Sequence, residues 1–229
     1  MITPRRSEER GHGSHGWLES RHTFSFASYA DPLHMGYGDL RVINDDRVSP
    51  SQGFGMHSHS NMEILSYVIE GELAHRDSMG NASTIGCGDV QRMSAGTGVM
   101  HSEYNPSDKH PVHFLQIWIL PNARGLQPGY EQKHFPEERK QNRLCLVASL
   151  DGREGSLTIN QDADVYATIP LEGVSLPLRR GRIVYLHVVK GNLRLDGMDL
   201  EAGDGAKISN ENSLELKGSG EALIFDLKG

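Results

Sequence analysis

Cysteine is scarce in this sequence. Only Cys87 and Cys145 occur among 229 residues, and they lie far apart. One distant pair argues against the disulfide framework that holds small secreted domains together, and it lacks the spacing of a zinc ribbon. We therefore expect both thiols to be reduced and to serve as ordinary packing residues.

Long apolar runs are also missing. No stretch of about 18 apolar residues occurs, so the sequence predicts no membrane-spanning helix. Residues 1–10 are polar and charged, without the apolar run of a secretory signal. These two absences predict a soluble, cytoplasmic protein with no membrane partner.

Basic charge is in the minority. Acidic residues number 30 and basic residues 23, which gives a net charge of −7. Direct binding of nucleic acid needs a basic face, so the acidic balance argues against it and favours a protein as any macromolecular partner. Because neither a coiled-coil pattern nor an interface stripe occurs, we expect a monomer.

Helical periodicity is absent, and short strand patterns take its place. Many of the 26 glycines punctuate these patterns as turns. We predict strands over His22–Ala27, Asp39–Ile43, Ile64–Glu70 and Val112–Leu120, a turn at Asn44–Asp46, and one short helix within Pro136–Asn142. Many short strands with regular turns indicate an all-β sandwich or barrel.

The two halves of the chain share a weak repeat. Tyr67–Leu73 and then Gly88–Ser94 read as strand, glycine turn, strand, Gly-Asp turn and strand, and His187–Leu193 and then Gly203–Ser209 repeat this order. Chance similarity of hairpins is the alternative, but the shared order favours a duplicated barrel. We place the domains at residues 1–136 and 137–229.

Two histidine-containing dyads are the clearest functional signal. Residues two apart in a strand point to the same face, so His57 and His59 can reach one ion together. His101 and Glu103 have the same spacing. Three imidazoles and one carboxylate suit one divalent transition metal and leave positions open for a substrate or O₂.

These dyads lie within longer patterns. Gly55-x-His57-x-His59-x₃-Glu63-x₇-Gly71 is similar to the first cupin motif, and the segment from Gly88 to Asn105 is similar to the second, without its proline. The run Gln91–Asn105 resembles the pirin family, and the likeness extends from about Gly11 to Pro121. Further segments that share it are His22–Ala27, Leu40–Asp46, Glu70–Gly80 and Gln116–Pro121.

The resemblance implies a double-stranded β-helix (cupin) fold, with two β-barrel domains in tandem. It implies a metal held by His57, His59, His101 and Glu103, with Fe(II) favoured and Mn, Co, Ni, Cu or Zn compatible. It also implies a quercetin 2,3-dioxygenase, which cleaves a flavonol with O₂ to a depside and CO. Glu103 would then take the substrate's hydroxyl proton as well.

Two alternatives remain open at this point. Glu63 stands where most other cupins place their carboxylate ligand, and strand parity puts it on the face of His57 and His59. We follow the pirin pattern in favouring Glu103, which leaves Glu63 to line the pocket or fix a ligand imidazole. The second alternative is a redox-sensing regulator that binds a transcription factor or an enzyme.

The remaining polar and aromatic candidates favour ordinary structural roles. His187 stands alone in an apolar strand, so the second half should carry no metal ligands. We expect surface or packing roles for His12 and His15, hydrogen-bonded structural roles for His75 and His113, core packing for Phe24 and Phe26, and no site role for Gln116 and Trp118.

Overall fold

A computed structural model describes all residues from Met1 to Gly229. Twenty strands and three single-turn 3-10 helices follow one another along the chain. The strands of the first half are β1 (Ile2–Arg5), β2 (Gly11–Ser14), β3 (Leu18–His22), β4 (Leu40–Val48), β5 (Gly53–His59), β6 (Glu63–Glu70), β7 (Glu72–Asp77), β8 (Ala82–Gly86), β9 (Asp89–Ser94), β10 (Val99–Tyr104), β11 (Val112–Ile119) and β12 (Gly129–His134).

The strands of the second half are β13 (Cys145–Ser149), β14 (Leu157–Thr158), β15 (Ala163–Thr168), β16 (Val174–Pro177), β17 (Arg182–Leu195), β18 (Met198–Glu201), β19 (Gly205–Ser209) and β20 (Ser213–Lys228). The 3-10 helices are Ser7–Glu9, Glu137–Arg139 and Arg153–Gly155. Among these elements no helix has the length and apolar character needed to cross a membrane.

Three sheets make up the molecule, and the all-β prediction is confirmed. The first half forms a seven-stranded sheet, in the order β12-β9-β6-β11-β4-β3-β2, and a four-stranded sheet, in the order β5-β10-β7-β8. The second half forms a nine-stranded sheet along β1-β19-β17-β20-β15-β13-β14, with β16 and β18 beside β20 and β17. No sheet closes into a hydrogen-bonded barrel, so each cupin unit is open at its edges.

The seven-stranded sheet has two chemically different faces. Strands alternate their side chains, so β11 directs Leu115 and Ile117 outward and Gln116 and Trp118 inward. The outward side chains join a buried cluster of 23 residues that includes Phe225 of the nine-stranded sheet. This apolar contact joins the two halves of the molecule and leaves the inner face free for polar groups.

The domain division stays a proposal. We propose that the chain divides at 136/137, between β12, which pairs with β9, and β13, which lies in the nine-stranded sheet. The exception is β1, which pairs with β19 and so adds residues 2–5 to the sheet of the second half.

Two local predictions are wrong. The predicted strand His22–Ala27 stops at its first residue, because the chain bends there and Phe26 pairs with Tyr29 in an isolated bridge. The predicted turn at residues 44–46 is instead the middle of β4. Pairing with β3 on one side and β11 on the other keeps these residues extended. The short helix predicted within 136–142 is present, as the single 3-10 turn Glu137–Arg139.

A buried ion pair of the second half contacts the first half through the hydroxyl of Tyr67. Lys140 Nζ lies 2.6 Å from a carboxylate oxygen of Glu221 and donates to the Tyr67 hydroxyl at 3.1 Å. Burial by itself raises the pKa of Glu221, but the ammonium of Lys140 and the hydrogen bonds from Lys140 and Tyr67 outweigh it and lower that pKa. The carboxylate therefore depends on its partners to remain charged inside the protein.

Replacing Lys140 with Met should lower the free energy of unfolding by about 3–5 kcal/mol, because it leaves the Glu221 carboxylate buried and short of a partner. Lys190 provides the matched control, since its half-exposed ammonium lies 3.3 Å from the same carboxylate. Lys190→Met should cost less than about 1 kcal/mol. Urea denaturation measures both, and equal losses would contradict the role given to Lys140.

Candidate metal centre

Three histidines converge between the two sheets of the first half. β5 and β10 pair antiparallel, which sets His57 directly opposite His101. His59 shares the face of His57 because it lies two residues further along β5. The ring centroids are 4.4 Å apart for His57 and His101, 4.8 Å for His57 and His59, and 4.9 Å for His59 and His101.

The backbone orients the first imidazole. His57 Nδ1 donates to the carbonyl oxygen of Gly55 at 2.8 Å, which leaves Nε2 as the nitrogen available to a metal ion. β5 has a bulge between Phe54 and His57. These two residues are three apart in β5, whereas their partners in β10, Glu103 and His101, are two apart. As a result Phe54 stands opposite Glu103.

The histidine nitrogens fit a transition metal. One ring nitrogen from each of His57, His59 and His101 lies within 4.8 Å of the others. His101 is buried, and neither of its ring nitrogens has a hydrogen-bond partner. Burial and the neighbouring imidazoles lower the pKa of His101 to about 3 and that of His59 to about 4. Neutral imidazoles with free lone pairs are what a metal ion requires.

Glu103 lies beside these histidines but is held by other partners. Both of its oxygens accept from Gln116 Nε2, at 2.9 and 2.8 Å, and Ser66 Oγ lies 3.3 Å from one of them. Burial raises the pKa of this carboxyl, and the hydrogen bond from Gln116 partly offsets that rise. Glu103 is outside the tight group of three nitrogens, although it lines the same cavity as His57 and His59.

Glu63 does not face this centre, so the expectation of a pocket role for it is wrong. Its carboxylate accepts from Ser94 Oγ at 2.7 Å and from Asn160 Nδ2 at 3.1 Å, at the contact with the second half. Strand parity failed here because β5 ends at His59 and Glu63 begins β6, which lies in the other sheet.

Two side chains without an expected site role do lie at the centre. Gln116 holds Glu103, and the Trp118 ring meets the His59 ring edge-on at 4.9 Å. Because side chains alternate along β11, Gln116 and Trp118 lie on the opposite face of the strand from Leu115 and Ile117. This alternation is the sequence signal that could have identified them. Which face looked onto the histidines depended on how the sheets pack.

Most other expectations for single residues hold. His75 bonds Asp77 at 3.1 Å, His113 bonds Asp45 at 2.6 Å, and exposed His12 bonds Glu19 at 2.7 Å. Phe26 differs from its expected core role because it lines the cavity. His15, expected at the surface or in packing, also borders that cavity.

The cavity beside the histidines has a volume of about 470 Å³. That is within the range of small-molecule sites, which are typically about 300–1,000 Å³. Its aromatic wall includes Trp17, Phe26, Phe54 and Trp118. The arrangement can accept a planar aromatic molecule with one edge against the histidines.

Two cupin units in one chain, with a histidine trio between the sheets of the first, define a bicupin with a candidate metal site. Residues 4–119 match the pirin family, and residues 146–227 match the quercetinase C-terminal cupin domain. The chain belongs to the pirin family. It is 46% identical to a quercetin 2,3-dioxygenase of Escherichia coli K12, over 99% of each chain.

Solved structures agree with this assignment. The bacterial pirin YhhW of Escherichia coli, in complex with nickel(II), superposes with a TM-score of 0.95 at 46% identity and covers 100% of this chain and 99% of its own. A putative quercetin 2,3-dioxygenase of Pseudomonas aeruginosa is 42% identical over 94% of each chain. A quercetin 2,3-dioxygenase from Acinetobacter baumannii, 20% identical with a TM-score of 0.79, shares the fold.

Replacing His101 with Ala should reduce bound metal from about one ion per chain to near zero, because it removes the buried imidazole of the trio, whose two ring nitrogens have no other partner. Metal analysis of protein purified without chelator measures this. His12→Ala is the control, since that imidazole is exposed and bonded to Glu19, and it should keep full metal content. A His101→Ala protein that retains its metal would contradict the assignment.

The two carboxylates can be separated by matched substitutions. Glu103→Gln should weaken metal affinity at least about tenfold, since an amide is a poorer ligand than a carboxylate. Glu63→Gln changes an equally buried glutamate and should leave affinity unchanged. Competition with a chromogenic chelator gives both constants, and the reverse order of effects would assign the carboxylate role to Glu63.

Proposed function

We propose that this protein is a metal-dependent dioxygenase that cleaves the heterocycle of a flavonol such as quercetin. The observation that carries the proposal is the histidine trio, two members of which line an aromatic-walled cavity of about 470 Å³. Pirin family membership and the relatives named quercetin 2,3-dioxygenase support it. The overall reaction takes one flavonol and one O₂ to one depside and one CO.

We propose that His57, His59, His101 and Glu103 hold one divalent metal. The bound ion would supply Lewis-acid chemistry. It would lower the pKa of the flavonol's 3-hydroxyl and orient that hydroxyl together with the adjacent carbonyl. Fe(II) is the ion that we propose, and Mn, Co, Ni, Cu and Zn suit the same ligands. The nickel(II) complex of YhhW supports a divalent ion at such a centre.

The chain's own residues would bind and orient the substrate. Trp118 packs on His59 and Phe26 packs on Trp118, which gives the planar ring an apolar wall next to the ligands. Glu103 accepts the proton of the 3-hydroxyl, and Gln116 keeps the carboxylate aimed into the cavity by donating to both of its oxygens. The aromatic wall excludes water from the reacting carbons.

Turnover tests the proposal directly. Protein loaded anaerobically with Fe(II) should take up O₂ and release CO in a one-to-one ratio when it meets quercetin and air, and His101→Ala should not. An oxygen electrode and a CO-binding haem assay measure the two gases. Loading with Mn, Co, Ni or Cu in parallel identifies the active ion.

The absence of O₂ uptake with every one of these ions, in protein that retains its metal, would contradict the enzymatic proposal. That result would favour the regulatory alternative, in which the centre changes the surface offered to a protein partner. A pull-down comparing reduced and oxidised protein would then be the next measurement.

A further inference from the structure

The cavity extends beyond the metal centre over a row of polar side chains. In the register of the seven-stranded sheet, Gln116 of β11 is opposite Asn44 of β4, and Asn44 is opposite His22 of β3. His22 Nδ1 donates to Asn44 Oδ1 at 2.8 Å. All three line the cavity, so its lining is polar as well as aromatic.

Asp46 lies one step further along this wall. It follows Asn44 by two residues on the same face of β4, and it lines the cavity together with His57 and His59. Its side chain is buried, with 4% exposed, and Oδ1 has no hydrogen-bond partner. A buried carboxylate oxygen without a partner destabilises a fold, so its presence at a ligand cavity calls for a donor from the ligand.

The neighbouring residue shows how the fold treats an aspartate with a structural role. Asp45 points to the opposite face of β4, where His113 Nε2 lies 2.6 Å from one oxygen and Arg10 Nη2 donates to the other at 3.1 Å. Burial alone would raise the pKa of Asp45, but the hydrogen bond with His113 and the charge of Arg10 outweigh it and lower that pKa. Asp46 has no cationic partner of this kind.

We propose that Asp46 Oδ1 accepts a hydrogen bond from a hydroxyl group on the substrate ring that lies away from the metal ligands. The substrate class is then a planar flavonol with a phenolic hydroxyl on such a ring, in preference to the unhydroxylated parent. The identity of the substrate rests on the proposed function, while the hydroxyl subsite rests on the position of Asp46.

The spacing suits such a molecule. Asp46 is one strand and two residues from Gln116, which from sheet geometry is a separation of about 8 Å. Gln116 contacts Glu103, so the separation of these two backbone positions sets the scale of the distance between Glu103 and the proposed subsite. It is comparable to the separation between the chelating oxygens and the far-ring hydroxyl of a flavonol.

The electrostatics agree with a phenolic donor. Burial is the main cause that raises the pKa of Asp46 to about 7, and the charge of Glu103 adds to it while a hydrogen bond with Ser20 opposes it. A substrate hydroxyl that donates to Oδ1 would stabilise the ionised carboxylate.

Binding of two test compounds distinguishes the contribution of this subsite from that of the metal centre. Quercetin and 3-hydroxyflavone carry the same 3-hydroxyl and carbonyl pair, and only quercetin carries hydroxyls on the other rings. The wild-type protein, loaded with Ni(II) and kept under argon, should bind quercetin more tightly. Isothermal titration calorimetry gives both dissociation constants.

Asp46→Leu should lower the ratio of the two affinities about 10- to 100-fold, the effect of losing one hydrogen bond to a charged group. It should change the affinity for 3-hydroxyflavone little. Its melting temperature should not fall, because the substitution removes a buried carboxylate that has an oxygen without a hydrogen-bond partner. Asp46→Asn keeps the size and a neutral acceptor, so it should lower the ratio several-fold.

Asp45→Asn is the matched control, because it removes a carboxylate from the adjacent position on the opposite face of the same strand. It should lower the melting temperature and leave the affinity ratio unchanged. An Asp46→Leu ratio within about twofold of wild type would overturn the proposal, and so would an equal change in Asp45→Asn. If Asp46→Leu does not fold, an unchanged ratio in Asp46→Asn overturns it.

Turnover distinguishes this proposal from the proposed function. If wild-type protein consumes O₂ with quercetin but the Asp46 variants keep the wild-type affinity ratio, the proposed enzymatic function is supported and the subsite proposal is overturned. Lost discrimination in binding, together with no turnover under any metal, leaves a flavonol-binding subsite and removes the dioxygenase.

Discussion

A buried hydrogen bond between Gln116 and Glu103 joins the two sheets of the first half at the level of the histidines. Gln116 belongs to the seven-stranded sheet and Glu103 to the four-stranded sheet, so the bond fixes the carboxylate relative to both walls. Ser66 donates to the Gln116 carbonyl oxygen at 3.0 Å and sets the orientation of the amide. In a water-poor interior such a network is rigid because each unmet hydrogen bond is costly.

This polar layer is stable because apolar layers enclose it. One buried cluster, which includes Leu73 and Phe114, fills the sandwich on one side, and a smaller cluster around Ile64 and Met93 fills the other. The outer face of the seven-stranded sheet buries its apolar side chains against the nine-stranded sheet. The second half thus stabilises the sheet from outside, and the inner face can carry polar groups.

β4 shows how tertiary contacts override a local pattern. Asn44, Asp45 and Asp46 form a typical turn sequence, yet they lie in the middle of a nine-residue strand. Asn44 bonds His22 across the sheet, Asp45 bonds His113 and Arg10 on the outer face, and Asp46 borders the cavity. Strand propensity is weak and depends on context, so partners on both faces decide the structure. Local rules tend to fail at functional sites for this reason.

The sequence by itself determined the fold class and the pairing of residues within each strand. The spacings of His57 with His59 and of His101 with Glu103 put each pair on one face, because side chains alternate along any strand. The motifs around them also identified the family, which the comparisons confirm. These features are local, so a single segment of chain is enough to carry them.

Only the tertiary structure decided which faces meet. It set His57 opposite His101, brought Gln116 and Trp118 to the centre, and turned Glu63 away. Alternation ends where a strand ends, so it could not follow the chain from β5 into a different sheet at β6. The unpartnered oxygen of Asp46 is equally a property of packing, because a buried group lacks a partner only once every neighbour is in place.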